Sequence, residues 1–333
     1  MVLIPFGVSC GMFLAEAAAA AYYARSEDSV ARTESSPLWV SKRDPELGYA
    51  LNPGVRVSAS RTMGDSALYR VTYTTTDDGV RRTRGNVHGD TWLFMGCSFT
   101  FGDGVEDDET LPSRFSEQLG WNANVVNLGV SGYGAHQVLR LLETGRLGGA
   151  APPVKHVIYQ AIQAHVARTA GRFRWNLDGP AYTISGDTVR YDGPLHGRTF
   201  VRAFRLAERS DLLRLLISRF YLHRKPTARE IEVYGRIVER AGALAREKLG
   251  ARFTVLYWDT TGLAPDPVLE RLVATRLPIV RATSLVPLSE LNRLRIPHDR
   301  HPTAEAYRRL AAGLAAHLGE TSKKSVAAQQ LMR

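Results

Sequence analysis

Apolar and polar positions between residues 88 and 318 follow two alternating patterns. Short runs of consecutive apolar residues are typical of strands buried on both faces, and they occur at residues 92–95, 125–128, 155–162, 253–257 and 277–280. Segments with apolar residues three or four positions apart predict helices, here at residues 110–119, 135–147, 227–249, 267–275 and 304–318. This alternation predicts a three-layer α/β/α fold, in which helices cover both faces of a parallel sheet.

The chain before residue 88 has a different pattern. Residues 2–15 are continuously apolar or small, and an alanine-rich run ends at Tyr22 and Tyr23, so residues 1–24 are predicted to be a membrane anchor or an uncleaved signal. Glu16 is costly in lipid, and a packed core helix is the alternative. Residues 25–38 are polar and serine-rich, which predicts a linker. Residues 39–87 predict a β extension of short strands and turns.

Two further segments interrupt or follow the predicted domain. An insertion at about residues 170–225 contains a hairpin around Gly186 and Asp187. Phe173, Trp175 and Tyr182 in this insertion either stack on a sugar ring or close a small satellite core. Residues 319–333 are predicted to form a disordered tail.

Candidate chemistry lies at two distant positions. Ser98 follows the predicted strand at residues 92–95 on a sharp turn, where a hydroxyl stands clear of the sheet near backbone N–H groups. Asp299 and His301 precede the last predicted helix, whose first turn accommodates Pro302. A carboxylate that binds one ring nitrogen of His301 leaves the other nitrogen free to take a proton from Ser98. The pattern therefore predicts a Ser–His–Asp triad.

Three sequence blocks extend this hypothesis. Gly96-Cys97-Ser98, the segment Asn-Leu-Gly-Val-Ser-Gly-Tyr-Gly at residues 127–134, and Asp299-Arg-His301-Pro302 together resemble the SGNH (GDSL-type) hydrolase superfamily. The resemblance implies a flavodoxin-like parallel sheet, Ser98 as nucleophile, and backbone N–H groups of Ser98 and Gly132 that bind the oxyanion. It also implies roles for Asp299 and His301, although many members space this pair one residue further apart.

The third block of the family departs further from the pattern. The family usually has Gly-x-Asn-Asp after a strand, and its Asn donates to the oxyanion. In residues 157–168 Ala164 occupies the Asn position. Either Gln163 or His165 replaces the donor, or the site has lost a contribution of about 3 kcal/mol. The alternative for both side chains is a structural role at the end of the strand.

Composition narrows the possible partners. The formal net charge is +10, and many of the arginines lie between residues 198 and 252. Such a region is either a solvated face or a surface attracted to an anionic membrane or an acidic polysaccharide. No nucleic-acid-binding motif is present, and no spacing of cysteine and histidine indicates a metal, so no cofactor is expected. Cys10 and Cys97 are the only cysteines, and no structural disulfide is expected between them.

These features predict a serine esterase that forms an acyl-enzyme. Its substrate is an ester, with O-acetyl groups on a cell-surface glycan as one candidate. The alternatives are an O-acetyltransferase with the same triad and a catalytically weakened glycan-binding or assembly protein. An N-terminal anchor would place the protein on a membrane outside the cytoplasm.

Overall fold

The structure is a computed structural model that describes residues 11–22, 32–36, 41–150, 153–197, 209–217, 224–260, 262 and 265–331. The first ten residues of the predicted anchor, most of the predicted linker and residues 198–208 and 218–223 of the predicted insertion lie outside these ranges. Cys10 is among them, whereas Cys97 is described and is a free, buried cysteine.

The N-terminal part contains a helix and five short strands. Helix α1 spans residues 11–22. The strands are β1 (Arg32–Ser36), β2 (Ser41–Asp44), β3 (Gly48–Leu51), β4 (Arg56–Met63) and β5 (Ser66–Thr74). Strands β1, β4 and β5 form an antiparallel sheet, and β2 pairs with β3. From here on, the name β extension is used for residues 41–74, the part of the predicted residues 39–87 that contains β2 to β5.

Strand β1 lies in the segment that was predicted to be a linker, and this prediction is wrong for residues 32–36. The polar residues of β1 pair with β4 from Arg32 opposite Thr62 to Ser36 opposite Ser58. Backbone hydrogen bonds stabilise an edge strand of this kind without an apolar face, so composition alone did not reveal it.

The central sheet has five parallel strands. They are β6 (Thr91–Gly96), β7 (Asn124–Gly129), β8 (Val154–Ala161), β11 (Arg252–Tyr257) and β12 (Ile279–Arg281). Their order is β12-β11-β8-β6-β7, with parallel pairing throughout. Counted along this sheet the order is 2-1-3-4-5, the flavodoxin-like order, and the strand order reverses beside β6. The predicted fold is confirmed. Ser98 follows β6, at the point where such sheets bind ligands.

Strands β9 (Pro180–Ser185) and β10 (Thr188–Pro194) form the predicted antiparallel hairpin. The helices after α1 that bear on the fold are α2 (Ser98–Phe101), α3 (Leu111–Gln118), α4 (Ala135–Thr144), α5 (Ala164–Thr169), α6 (Asp211–Ile217), α7 (Ala228–Leu249), α8 (Pro267–Ala274), α9 (Ala282–Leu285), α10 (Leu288–Arg293) and α11 (Ala304–Leu331).

Successive residues of the central strands face different layers. In β6, Leu93 and Met95 pack in the core shared with α4 and α7, whereas Trp92 and Phe94 pack in the core shared with α3 and α11. Because side chains alternate along a strand, a continuous apolar run fills both cores. Residues 92–95 are almost completely buried for this reason, and they hold the turn at Ser98 on a rigid support.

The C-terminal helix is longer than predicted. The sequence predicts a helix that ends at residue 318 and a disordered tail, but α11 continues to Leu331. Residues 319–331 contain no proline and include alanine, lysine and glutamine, which favour helix. The tail prediction is therefore wrong for the residues up to 331.

The described part of the N-terminal segment does not decide the membrane prediction. None of the helices in the described ranges has the length and apolar character needed to cross a membrane. The carboxylate of Glu16 accepts hydrogen bonds from the Ser210 hydroxyl, at 2.7 Å, and from the backbone N–H of Leu212, at 3.1 Å. Glu16 thus caps the start of α6, and the membrane anchor over residues 1–24 stays a prediction.

Candidate active site

Ser98 is placed by the tight connection between β6 and α2. A side chain at Gly96 would lie 2.4 Å from the Thr100 hydroxyl and 2.9 Å from the Gln160 carbonyl, so only glycine fits at the end of β6. Ser98 is the first residue of α2, where backbone N–H groups have no acceptor within the helix. Its side chain is largely buried, at 4% exposure. The turn therefore places the Ser98 hydroxyl at the N-terminus of α2.

His301 meets Ser98 although 203 positions separate them. The Nε2 atom of His301 lies 2.8 Å from the Ser98 hydroxyl oxygen. On the other side of the ring, Nδ1 forms a short hydrogen bond with Oδ1 of Asp299. The same Oδ1 accepts the backbone N–H of His301 at 3.1 Å. The three side chains form the chain of contacts that a Ser–His–Asp triad requires.

The short Asp-x-His spacing works because the loop is tightly turned. His298 and Arg300, on either side of Asp299, have φ angles of 59° and 72°, in the left-handed region that side chains other than glycine rarely occupy. Backbone hydrogen bonds hold the loop closed, including Ile296 N–H to the His301 carbonyl at 2.8 Å. This geometry brings the carboxylate back to the ring of the residue two positions later.

Arg61 is a residue of the site that the sequence did not indicate. Its Nη1 lies 3.0 Å from Oδ2 of Asp299, whose side chain is completely buried. The pairing of β4 with β5 shifts register between Arg61 and Thr62, and such irregularities often redirect a side chain. Burial acts to raise the pKa of Asp299, but the hydrogen bond and charge of His301 and the charge of Arg61 hold it below 3.8, so the carboxylate stays ionised.

A second carboxylate, that of Asp103, lies on the Ser98 side of the imidazole. Its Oδ2 is 4.0 Å from Nε2 of His301, and its Oδ1 accepts a hydrogen bond from the Ser131 hydroxyl at 2.5 Å. Burial raises the pKa of Asp103, while His301 and Ser131 act to lower it. The imidazole therefore has a carboxylate near each of its nitrogens.

These side chains open into a cavity of about 630 Å³. Leu51, Val57 and Tyr69, all from the β extension, form one of its walls. The catalytic candidates and the loop after β7 also contribute to the lining. Its lining includes Ser98, Phe101, Asp103, Val130, Ser131, Gly132, Arg168, Trp175 and His301.

Gly132 lies in the loop after β7, where the resemblance places an oxyanion donor. Its φ angle is 85°, and a side chain there would lie 2.5 Å from the Tyr49 hydroxyl and 2.8 Å from Nε1 of Trp175. Tyr49 donates its hydroxyl to the Ser131 carbonyl at 2.9 Å, and Asn176 donates to the Gly132 carbonyl at 3.2 Å. Gly132 and Ser98 both line the cavity.

Gln163 and His165 were the two candidates to replace the third-block Asn, and this role requires a side chain at the cavity. Neither residue lines the cavity. Helix α5 begins directly after β8 and turns His165 back into the core, where its Nδ1 lies 2.6 Å from the Tyr159 hydroxyl. Burial lowers the pKa of His165 well below 6.5. The side chain of this segment that lines the cavity is Arg168, which donates to the Tyr133 carbonyl at 2.7 Å.

Phe173, Trp175 and Tyr182, for which the sequence allowed either sugar stacking or a satellite core, have different positions. Phe173 and Trp175 stack with ring centroids 4.6 Å apart, and Trp175 is 52% exposed at the cavity. Tyr182 is buried and donates its hydroxyl to Glu143 at 2.7 Å, so it belongs to the core. Trp175 alone of the three is placed to meet a ligand in the cavity.

Comparisons with known proteins give structural similarity only. No protein-family model and no curated protein matches the sequence. A protein assigned to the lipolytic G-D-S-L family from Desulfitobacterium hafniense DCB-2 is 11% identical, with a TM-score of 0.41 over 68% of this chain and 99% of that one.

Two further solved structures have similar values. A lipolytic protein of the G-D-S-L family from Veillonella parvula DSM 2008 is 13% identical, with a TM-score of 0.39 over 68% of this chain and 96% of that one. A two-domain esterase active on acetylated mannans is 12% identical, with a TM-score of 0.40 over 74% of this chain and 57% of that one. At such identities and scores, a functional assignment for this chain depends on the geometry of its own site.

Proposed function

We propose that this chain is a serine ester hydrolase of the SGNH type. The observation that carries the proposal is the contact of 2.8 Å between the Ser98 hydroxyl and Nε2 of His301, inside a cavity and backed by the buried Asp299. A serine that merely caps a turn has no need of an imidazole whose second nitrogen is bound by a carboxylate.

Acylation follows from these contacts. His301 takes the proton of the Ser98 hydroxyl through Nε2 while the serine oxygen attacks the ester carbonyl. Asp299 holds the ring with Nδ1 protonated and stabilises the imidazolium that forms. The N–H groups of Ser98 and Gly132 bind the negative oxygen of the tetrahedral intermediate. His301 then gives its proton to the leaving alcohol, and the acyl group stays on Ser98.

Deacylation repeats the sequence with water as the nucleophile. His301 removes a proton from water, the water oxygen attacks the acyl-enzyme, and Ser98 recovers its proton as the acid leaves. A hydroxyl-bearing acceptor in the same position would give the acyltransferase reaction. Product analysis with and without a carbohydrate acceptor separates the two outcomes.

Arg168 takes the place of the missing third-block donor in this proposal. It follows β8, as the third block does, and it lines the cavity that contains Ser98. Its guanidinium carries a positive charge and several donors, which suit a developing oxyanion. One donor is engaged by the Tyr133 carbonyl at 2.7 Å, which fixes the side chain.

A carbohydrate ester is the substrate class we propose. Trp175 presents an exposed indole at the cavity, and aromatic faces of this kind suit the apolar face of a sugar ring. The carboxylate of Asp103 adds a hydrogen-bond acceptor in the same cavity. An O-acetyl group on a glycan fits both features.

The test is release of p-nitrophenol from p-nitrophenyl acetate by the purified chain, compared with Ser98→Ala. We expect kcat to fall about a thousandfold or more in the variant, as for other serine-triad deletions. A fluorophosphonate probe should label the wild-type chain and not Ser98→Ala. Equal activity in the two proteins would refute the proposal, and a folded wild-type chain that does not react with the probe would favour a binding protein without catalysis.

A further inference from the structure

The carboxylate of Asp103 is not needed by the triad, yet it is held beside the reacting atoms. We propose that Asp103 selects esters whose alcohol carries a second hydroxyl next to the esterified one. This inference rests on the proposed function and names the alcohol that the same site prefers. The alcohol class is a 1,2-diol monoester, which includes partly acylated sugars and glycerol.

The geometry follows from the step in which the alcohol leaves. The leaving oxygen must lie within hydrogen-bond distance of Nε2 of His301, because that atom gives it a proton. Oδ2 of Asp103 lies 4.0 Å from the same Nε2. An oxygen on the adjacent carbon of the alcohol can then approach Oδ2 to about 2.7 Å, the usual O–H···O distance. A lone alcohol has no donor at this position.

The carboxylate is fixed in the orientation that this contact needs. Oδ1 accepts the Ser131 hydroxyl at 2.5 Å, which leaves Oδ2 directed at the cavity near His301. Ser131 is fixed in turn, since its carbonyl accepts the Tyr49 hydroxyl at 2.9 Å. Asp103 also lines the cavity, so a ligand can reach it. A carboxylate held in this way recognises a hydroxyl without first having to be ordered.

The experiment compares two acetate esters of nearly equal size, 2-hydroxyethyl acetate and 2-methoxyethyl acetate. The second replaces the donor hydroxyl by a methyl ether. We expect the wild-type chain to prefer the hydroxyl ester by about tenfold or more in kcat/KM, the value typical of a hydrogen bond to a charged group. The preference should vanish in Asp103→Ala and be intermediate in Asp103→Asn, whose amide oxygen is an uncharged acceptor.

The ratio of the two kcat/KM values does not depend on the fraction of active protein, so partial misfolding of a variant does not affect it. Asp187→Ala, at an exposed hairpin turn, is the matched control and should keep the wild-type ratio. Equal kcat/KM values for the two esters in the wild-type chain, or a wild-type ratio in Asp103→Ala, overturn the inference about Asp103. Both results leave the proposed ester hydrolase function unaffected. If the wild-type chain hydrolyses neither of the two esters nor p-nitrophenyl acetate, the proposed function is overturned instead.

Discussion

Replacement of Arg61 by Met tests whether the β extension takes part in catalysis. Nη1 of Arg61 lies 3.0 Å from Oδ2 of Asp299. Two unit charges at that distance attract by about 5 kcal/mol at an effective dielectric constant of about 20. The Arg61 side chain is 27% exposed, so solvent screens part of this attraction, and His301 still binds the other carboxylate oxygen. We therefore expect a loss of about 2 kcal/mol, in line with a charge-assisted contact.

This loss corresponds to a decrease of about thirtyfold in kcat. The reason is that Asp299, freed from Arg61, no longer holds His301 in one orientation toward Ser98. Steady-state hydrolysis of p-nitrophenyl acetate measures kcat and KM separately, and KM should change little because Arg61 acts through Asp299. Arg61→Lys keeps the charge but not the planar guanidinium, and it should recover part of the activity.

Arg70→Met is the matched control, since Arg70 is exposed on the neighbouring strand β5. Its kcat should equal that of the wild-type chain. If Arg61→Met keeps full kcat while both variants remain folded by circular dichroism, then the contact with Asp299 does not position the triad. An increase of KM alone would mean that Arg61 binds substrate directly.

Three other variants test separate parts of the site. Gly132→Ala should lower kcat/KM by about a hundredfold, because the new methyl group collides with Tyr49 and Trp175 and moves an oxyanion donor; wild-type rates in ester hydrolysis would refute this role. Arg168→Gln should lower kcat of the same reaction by about tenfold or more, and an effect confined to KM would contradict oxyanion binding. Asp299→Asn tests stability: burial raises the pKa of Asp299, but His301 and Arg61 hold it below 3.8, so the ionised carboxylate stabilises the folded state above pH 3.8. The free energy of unfolding of the wild-type chain in urea should therefore exceed that of Asp299→Asn most near neutral pH, and this difference should decrease as the pH falls below 3.8. A difference that does not change with pH would contradict the stabilising role of the ionised Asp299.

The strands of the central sheet could be predicted because the sequence pattern of each strand lies within a few consecutive residues. Residues 92–95 are apolar without interruption, and in the structure their side chains fill the cores on both faces of the sheet. The glycine before Ser98 and the proline after His301 likewise mark the ends of elements within a few residues. Parallel strands bring their carboxyl ends to one edge, which is where Ser98 follows β6. His301 lies 20 residues beyond β12, after α9 and α10, so its contact with Ser98 was predicted from the triad pattern and not from a strand end.

Other parts of the site depend on information that is not local. Arg61 reaches Asp299 through a register shift between β4 and β5, and no short pattern in the sequence reports register. The residue that replaces the third-block Asn could not be predicted for a related reason. The starting residue of α5 decides which side chain faces the cavity, and it places His165 in the core and Arg168 at the cavity.

Asp103 could have been noticed, because it lies between two glycines only five residues after Ser98. Its position near Nε2 of His301 depends on the fold of that loop, which the pattern alone does not define. The ion pairs of the arginine-rich region also depend on the fold and could not be predicted from composition. Arg224, Arg236 and Arg240 pair with glutamates on α7, which favours a solvated face over a site for anionic partners.

The β extension has a consequence for how this chain is divided into modules. Tyr49 hydrogen-bonds the loop that carries Gly132, and Arg61 faces the aspartate beside the imidazole. A fragment that starts at residue 88 keeps every residue of the three sequence blocks, yet it lacks both supports. It also lacks Leu51, Val71 and Tyr73, which pack in the same core as Leu93 and Met95 of β6. A boundary drawn from the sequence blocks alone therefore leaves out part of both the core and the candidate site.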